Sequence, residues 1–267
     1  MSRRRVWAWL AACVVSLLAL AACSGASVPP AESGARWRPE PGLRWQWQLT
    51  GKLDLGVPAD VYELDAFTTT AAQVARLHDA GRRAICYVNA GAYEDFRPDA
   101  ESFPDDVLGR DSGWPGERWL DIRRFDVLGP ILADRVELCR RKGFDAVEAD
   151  NVDGYTNRTG FPLTAEHQLR FNRLVAALVH EHGMAVGLKN DLGQVSELEP
   201  AFDFAVNEQC FEFGECDLLT PFVRSGKAVF HAEYDSPAAV FCPTTQRLGL
   251  SSIRKRMVLD AWREACP

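Results

Sequence analysis

Four times in this chain a glycine closes a helix-like stretch and a short apolar strand follows within a few residues, at Gly81, Gly143, Gly183 and Gly226. Glycine tolerates the left-handed conformation that stops a helix, so the recurrence reads as one helix-to-strand turn used repeatedly. Strand-like runs fall at 43–49, 61–65, 84–89, 146–151, 185–190, 202–208, 228–234 and 250–255. Helix-like segments lie between most of them. The clearest follows Thr164, where Phe171, Leu174, Val175, Leu178 and Val179 form one apolar stripe. Alternation of this kind builds parallel strands joined by crossover helices. Eight strands in roughly 220 residues predict a single-domain α/β fold, a (β/α)8 TIM barrel, whose usual length is about 250 residues. The alternative is a doubly wound open sheet, which normally seats its ligand at a Gly-rich first loop; no Gly-x-Gly-x-x-Gly occurs.

The strands are apolar at their starts and polar at their ends: Asp65 after Val61, Asn89 after Ile85, Asp150 after Val147, Lys189-Asn190 after Val186, Glu208 after Val206, and Glu233 after Val229. In a parallel barrel these ends meet on the C-terminal face, where barrel enzymes carry their sites. A single acid at a strand end is more often a cap or a solvated loop residue, but six polar ends converging point to chemistry. Glu148 and Asp150 stand two apart on one strand and so share a face, while Val147 and Ala149 take the other.

The N-terminus is a separate piece. Arg3, Arg4 and Arg5 precede an uncharged run from Val6 to Ala22, the layout of a secretory signal. It ends in Leu20-Ala21-Ala22-Cys23, similar to a bacterial lipobox, so residues 1–22 read as a lipoprotein signal peptide and Cys23 as the lipid-modified residue. The competing readings are an ordinary cleaved signal or a single membrane anchor. Residues 24–42, rich in Ser, Ala, Gly and Pro, read with Cys23 as a flexible tether, and residues 43–267 as the barrel. A lipid anchor of more than one chain would hold the protein to the outer face of the cytoplasmic membrane, and only by that anchor. Loss of residues 1–22 removes three Arg and no acid, taking the formal charge from −7 to −10. That balance argues against nucleic acid as a partner and suits a cationic or neutral ligand.

Six cysteines remain beyond Cys23, an even number in an exported chain, which reads as disulfides. Cys210 with Cys216 would close a short loop, Cys242 with Cys266 would tie down the C-terminus, and Cys86 with Cys139 follows by elimination. Zinc is the competing reading, but there is no Cys-x-x-Cys pair and His is scarce. No metal or cofactor is expected, and the protein is expected to act as a monomer.

Seven segments resemble one family: Trp45-Gln46-Trp47-Gln48-Leu49, Val61-Tyr62-Glu63-Leu64-Asp65, Cys86-Tyr87-Val88-Asn89-Ala90-Gly91, Trp119-Leu120-Asp121-Ile122-Arg123, Glu148-Ala149-Asp150-Asn151-Val152-Asp153-Gly154-Tyr155, Leu188-Lys189-Asn190 and Asn207-Glu208-Gln209-Cys210. In order and composition they are similar to glycoside hydrolase family 114, the endo-α-1,4-polygalactosaminidases, which are TIM-barrel enzymes acting on galactosamine-containing exopolysaccharide. The resemblance implies two catalytic acids, at the ends of the fourth and sixth strands, which fall on Asp150 and Glu208. Glycoside hydrolysis needs one carboxyl protonated to assist the leaving oxygen and one ionised to act on the anomeric carbon or on water. Asp150 is read as nucleophile and Glu208 as acid/base, and retention of configuration is expected from the resemblance.

The other strand-end residues read as substrate contacts. Asp65, Glu233 and Asp153 are candidates for a protonated amino group, by charge-assisted hydrogen bonds. Tyr87, Asn89, Lys189 and Asn190 are candidates for hydroxyl or carboxylate contacts, and Trp47, Tyr93, Tyr155 and Tyr234 for stacking on sugar faces or for ordinary packing. Glu148, deeper on the Asp150 row, is read as a buried partner for Lys189 or an Arg. Other functions stay open at this point: a lipid-anchored carbohydrate-binding protein of the same fold that does not cleave, hydrolysis of a different glycan, and deacetylation, which would want a metal held by His and Asp that His231 alone does not supply.

Overall fold

The computed structural model describes residues 36–267. The proposed signal peptide, Cys23 and the first part of the tether lie outside the described residues. Among the described residues no helix is long and apolar enough to cross a membrane.

Eight parallel strands run in chain order: β1 (Trp45–Gln48), β2 (Val61–Asp65), β3 (Arg83–Asn89), β4 (Ala146–Asp150), β5 (Ala185–Lys189), β6 (Phe204–Glu208), β7 (Val229–Glu233) and β8 (Ser251–Arg254). Each pairs in parallel with the next. Every strand run expected from sequence overlaps one of them. The connecting helices are α1 (Ala71–Asp79), α2 (Phe125–Lys142), α3 (Ala165–Glu181), the short α4 (Val195–Leu198) and α5 (Thr220–Arg224), and α6 (Ala238–Arg247). Thr70 and Thr164 open α1 and α3 with reciprocal capping boxes to Gln73 and His167. Gly143, at φ 89°, closes α2 in the left-handed conformation that a side chain would disfavour, and Gly81, Gly183 and Gly226 follow the same rule.

The sheet curls, but the expected closed barrel is not completed by a backbone ladder between β8 and β1 among the described residues. The reason lies in the C-terminal tail. Its strand Glu264–Ala265 pairs antiparallel with the outer edge of β8. Leu259 O meanwhile accepts from Leu49 N at 2.9 Å, and Ala261 O accepts from the Gln46 side chain at 2.8 Å. Both edges therefore meet the tail through hydrogen bonds. The connection between β1 and β2 carries no helix, a second departure from strict alternation.

Two cores sit on opposite sides of the sheet. The outer one packs α1, α2 and α3 on the strands. The inner one takes side chains from all eight strands, with large Trp45, Trp47, Phe204 and Phe230 set against small Ala146, Ala185, Ala228 and Ala232. The fit is tight: a Cβ on Gly187 would stand 2.3 Å from the Phe204 ring. Trp37 lies 6.4 Å from Phe204, centroid to centroid, and Pro39 O accepts from Ala228 N at 2.8 Å. The last residues of the stretch assigned to the tether thus lie against the base of the fold.

All six cysteines pair, Cys86 with Cys139, Cys210 with Cys216 and Cys242 with Cys266. The Cys210 and Cys216 sulfurs approach His231 but are spent on each other, so neither is a thiolate. Between β3 and α2 the chain leaves the sheet for a three-stranded antiparallel flap, Ala92–Glu94, Leu108–Asp111 and Glu117–Leu120, with the last in the middle. Sequence periodicity did not announce it, because its strands are too short to show alternation.

Candidate active site

Three adjacent strands end in charge: β4 in Asp150, β5 in Lys189 and β6 in Glu208. The residues that follow, Asn151, Asn190 with Asp191, and Gln209, all have φ between 47° and 63°. Non-glycine residues enter that region at a cost, and such residues cluster where the surrounding structure holds a site in place. Here the turns are pinned. Asn190 Oδ1 accepts from Glu208 N at 3.0 Å and from Asn207 Nδ2 at 3.2 Å, tying the end of β5 to β6. Gly91 N and Ala90 N both donate to Asp150 O, and a Cβ on Gly91 would stand 1.7 Å from Asn151 O. Only glycine permits that approach.

Lys189 is the centre of the arrangement. Its Nζ lies 2.7 Å from Glu148 Oε1, 3.1 Å from Asp150 Oδ1 and 3.2 Å from Glu208 Oε2. The Trp47 ring beneath it is 4.6 Å away, close enough for a cation–π contact in a dry floor. Tyr87 donates its hydroxyl to Asp150 Oδ2 at 2.7 Å, and Tyr234 donates its hydroxyl to Glu208 Oε1.

The electrostatics separate the acids. Burial would raise Asp150, but the Lys189 charge, the Tyr87 hydroxyl and the Asn151 amide outweigh it and hold Asp150 below the ordinary carboxylate value. Burial pushes Glu148 up to about 8 despite Lys189, because one ammonium is shared among three carboxylates. Burial alone would lower Lys189; Asp150, Glu148 and Glu208 instead raise it well above its usual value, so it stays charged. Burial and the neighbouring carboxylates raise both tyrosines, which therefore remain donors.

Of these groups Trp47, Tyr87, Asp150, Lys189, Glu208 and Tyr234 line a cleft of about 690 Å³ that also takes in Asp65, Glu117, Arg97, Phe96, Trp114 and the C-terminal segment Met257 to Leu259, with Glu148 buried below it. A second depression of about 340 Å³ contains Asp153, Tyr155, Asn190 and Asp191. Glu208 borders both.

Not every expected contact faces the cleft. Asp65 lines it but is engaged by Arg97 at 2.6 Å and by Thr68. Glu233 is fully buried elsewhere, where Oε1 accepts from Phe211 N at 2.8 Å and lies 2.8 Å from His231 Nε2. Asn89 is buried too, and its Oδ1 accepts from Ala92 N and Asn151 Nδ2, bracing the loop behind Asp150. Tyr93 packs edge-on against Phe103 in the flap. In each case the polar or aromatic group has found an internal partner, which a strand-end position alone does not disclose.

Sequence reasoning missed Asp191, Glu117, Phe96 and Trp114. Asp191 follows directly on Lys189-Asn190 and was legible as one more acid at a strand end. Burial, with Glu94 and Asp150 nearby, pushes Glu117 up to about 7. Trp114 sits between Gly113 and Gly116, a turn signal, but nothing in the sequence brings that turn over the cleft.

Comparison with known proteins follows the same line. The sequence pattern of glycoside-hydrolase family GH114 matches residues 26–267. Aspergillus fumigatus Ega3, solved in complex with galactosamine, is similar at a TM-score of 0.83 and 37% identity, over 87% of this chain and 98% of that one. The glycoside hydrolase domain of PelA from Pseudomonas aeruginosa shares the fold, with a TM-score of 0.67 and 15% identity over 84% of this chain and 98% of that one. No curated protein sequence matches the chain.

Proposed function

The chain belongs to glycoside-hydrolase family GH114, and from that premise we propose that this glycoside hydrolase cleaves α-1,4 linkages within a galactosamine-containing exopolysaccharide, using Asp150 and Glu208. The observation that carries the pair is the shared cation, since Asp150 and Glu208 each place an oxygen within 3.2 Å of Lys189 Nζ. Two oxygens that both touch one nitrogen stand closer than the ~6.5 Å at which inverting pairs begin. That spacing supports double displacement with retention.

In the first step an Asp150 oxygen attacks the anomeric carbon while the Glu208 carboxyl gives its proton to the glycosidic oxygen, breaking the C–O bond and leaving a glycosyl ester on Asp150. In the second, Glu208 takes a proton from water, the water oxygen bonds to the anomeric carbon, and Asp150 is released as carboxylate. Lys189 and Tyr87 keep Asp150 ionised for attack. Tyr234 orients Glu208. The acidic balance of the chain, −7 overall, and the carboxylates of the cleft suit a polymer carrying ammonium groups.

Endo-action is supported by depressions on both sides of Glu208, which leave a bound chain room to continue in each direction. Release of reducing ends from an α-1,4-galactosamine polymer is the test. No release across a range of pH and acetylation overturns the substrate assignment. We further propose that residues 1–22 direct export and that Cys23 carries the lipid, giving an enzyme on the outer face of the membrane. Cys23→Ser would then release the protein to the medium without loss of specific activity, and unchanged membrane retention would refute the anchor.

A further inference from the structure

The seam between β8 and β1, where the parallel ladder is interrupted, holds a buried cation. Lys255, the first residue beyond β8, is 1% exposed, and its Nζ donates to Asp260 O and Trp262 O at 2.6 Å each, with Gln46 Oε1 of β1 at 3.5 Å. These partners are two carbonyls and an amide, and none is a carboxylate. The Lys255 backbone N donates to Glu233 O at 2.8 Å, which fixes the residue at the end of the sheet.

What the ammonium gathers is a strap. Residues 256–262 fold over it as a loop, closed by Leu259 N on Arg256 O at 2.8 Å. Leu259 sits at φ 48°, a region that a leucine enters at a cost and keeps only where its surroundings hold it. The Asp260 carboxylate is engaged by Arg256 at 3.0 Å and by Trp262 N at 3.0 Å, so Asp260 meets Lys255 through its backbone carbonyl. On the far side Leu49 N and Thr50 N donate to Leu259 O, and Thr50 Oγ1 donates to Val258 O at 2.5 Å. Met257, Val258 and Leu259 are thereby set along the main cleft, beside Leu49 and Thr50.

We propose that Lys255 is a positioning residue for the reaction: its ammonium gathers the two tail carbonyls and so fixes residues 257–259 as a wall of the cleft on which the bound chain rests. What the wall contacts rests on the proposed polysaccharide substrate; how the wall is held does not. Without the amine, Asp260 O and Trp262 O must draw their donors from water, and water reaches this buried position only if the strap opens. The charge leaves a mark in pH as well. Burial lowers Lys255 to about 8; Asp260 opposes the shift, and Arg263 and Arg256 add to it. β1 faces the amine with the uncharged Gln46 side chain, and β7 meets Lys255 with the Glu233 carbonyl. Opening the strap returns the amine to water and to its ordinary 10.5. Between pH 8 and 10.5 the open form therefore holds a proton that the closed form lacks, so closure strengthens as the pH rises through that window and is weakest below it.

Amide hydrogen exchange over residues 256–262, corrected for the intrinsic rate at each pH, tests the hold without substrate. In the wild-type protein protection should rise about tenfold from pH 7 to pH 9, the linkage of one proton to closure. In Lys255→Met it should be flat with pH and about tenfold lower at pH 7, as loss of charged hydrogen bonds implies. A flat wild-type profile overturns the proposal, and this arm stands even if the variant folds poorly; equal protection in the two proteins at pH 7 overturns it too. Steady-state kinetics on an α-1,4-galactosamine polymer then test the consequence. Lys255→Met should raise KM about fivefold or more while kcat stays within about twofold, the signature of lost binding rather than lost chemistry. A fall in kcat at constant KM, or no change in either, overturns the positioning role. Failure of the wild-type protein to release reducing ends, with the exchange pattern as expected, would count against the hydrolysis assignment alone.

Discussion

Lys189 Nζ lies 2.7 Å from Glu148 Oε1, and both side chains are buried beneath the two carboxylates that face the cleft. The pair sets the charge of the whole site. Lys189→Met removes the one cation shared by Glu148, Asp150 and Glu208. Leaving the ionised Asp150 without its buried cation is expected to cost about 3–5 kcal/mol, read by urea unfolding. The acid limb of the pH–rate profile should also move upward, since Asp150 loses the charge that keeps it ionised. An unchanged acid limb would remove Lys189 from that role.

Glu148 gives a pH signature of its own. It binds its proton more tightly folded, at about 8, than at its ordinary 4.5. Its contribution to stability is therefore fully present below pH 4.5 and is lost as the pH rises toward 8. Glu148→Gln mimics the protonated acid, so the melting temperature of wild type relative to the variant should fall between pH 5 and pH 8. A difference that grows over that range would show Glu148 ionised throughout.

Asp150→Asn and Glu208→Gln should each lower kcat by about 10³-fold or more with little change in melting temperature. They part company on a substrate with a good leaving group. An aryl glycoside of a galactosamine oligomer needs no proton on its leaving oxygen, so it should restore the first step to Glu208→Gln and not to Asp150→Asn. Rescue of the Asp150 variant instead would exchange the two roles.

Trp114 and Phe96 stand on the rim of the main cleft with 52% and 60% of their surface exposed. Exposed rings beside a cleft present flat apolar faces to a sugar at little structural cost, which suits the proposed polysaccharide substrate. Trp114→Ala and Phe96→Ala are each expected to raise KM several-fold at nearly constant kcat, with folding untouched. A loss confined to kcat would mean that the rings act on the transition state rather than on binding.

Gly91→Ala tests the packing behind Asp150. A Cβ there would meet Asn151 O at 1.7 Å, so either the flap entry or the end of β4 must shift. Activity should fall more steeply than stability, because a displacement near 1 Å at a reacting group is costly to rate. Full activity in this variant would mean that the strand end is free to adjust.

Replacing Cys86 and Cys139 by Ala opens a loop of 53 residues and should cost about 4 kcal/mol on the chain-entropy account. The Cys210–Cys216 loop, of 6 residues, contributes about 2 kcal/mol by the same reasoning, but it begins two residues after Glu208. Its loss should therefore show first in kcat, as urea unfolding and steady-state kinetics on the two double variants would reveal.

The strands and most helices were legible because their signals are local: an apolar run, a Thr that caps, a glycine that ends a helix. That Asp150 and Glu208 each close a strand was legible in the same way, while their selection as a pair came from the resemblance to the family. The flap was not, since strands of three and four residues carry too little periodicity. Nor was the seam, where residues 259–265 replace the ladder expected between the last strand and the first.

What the sequence determined by itself was the alternation of strand and helix and the set of polar groups carried to one face. Which of those groups remain available was decided by the tertiary structure. Asp65, Glu233 and Asn89 are strand-end polar residues like Asp150, yet Arg97, His231 with Phe211 N, and Ala92 N with Asn151 engage them. Asp191, one residue beyond the end of β5, is likewise held from a distant segment, by Asn172 Nδ2 of α3 at 2.9 Å. A carboxylate's chemistry depends on its partners and its burial, and both are supplied by segments distant in the chain, so they exist only once the fold has closed around them.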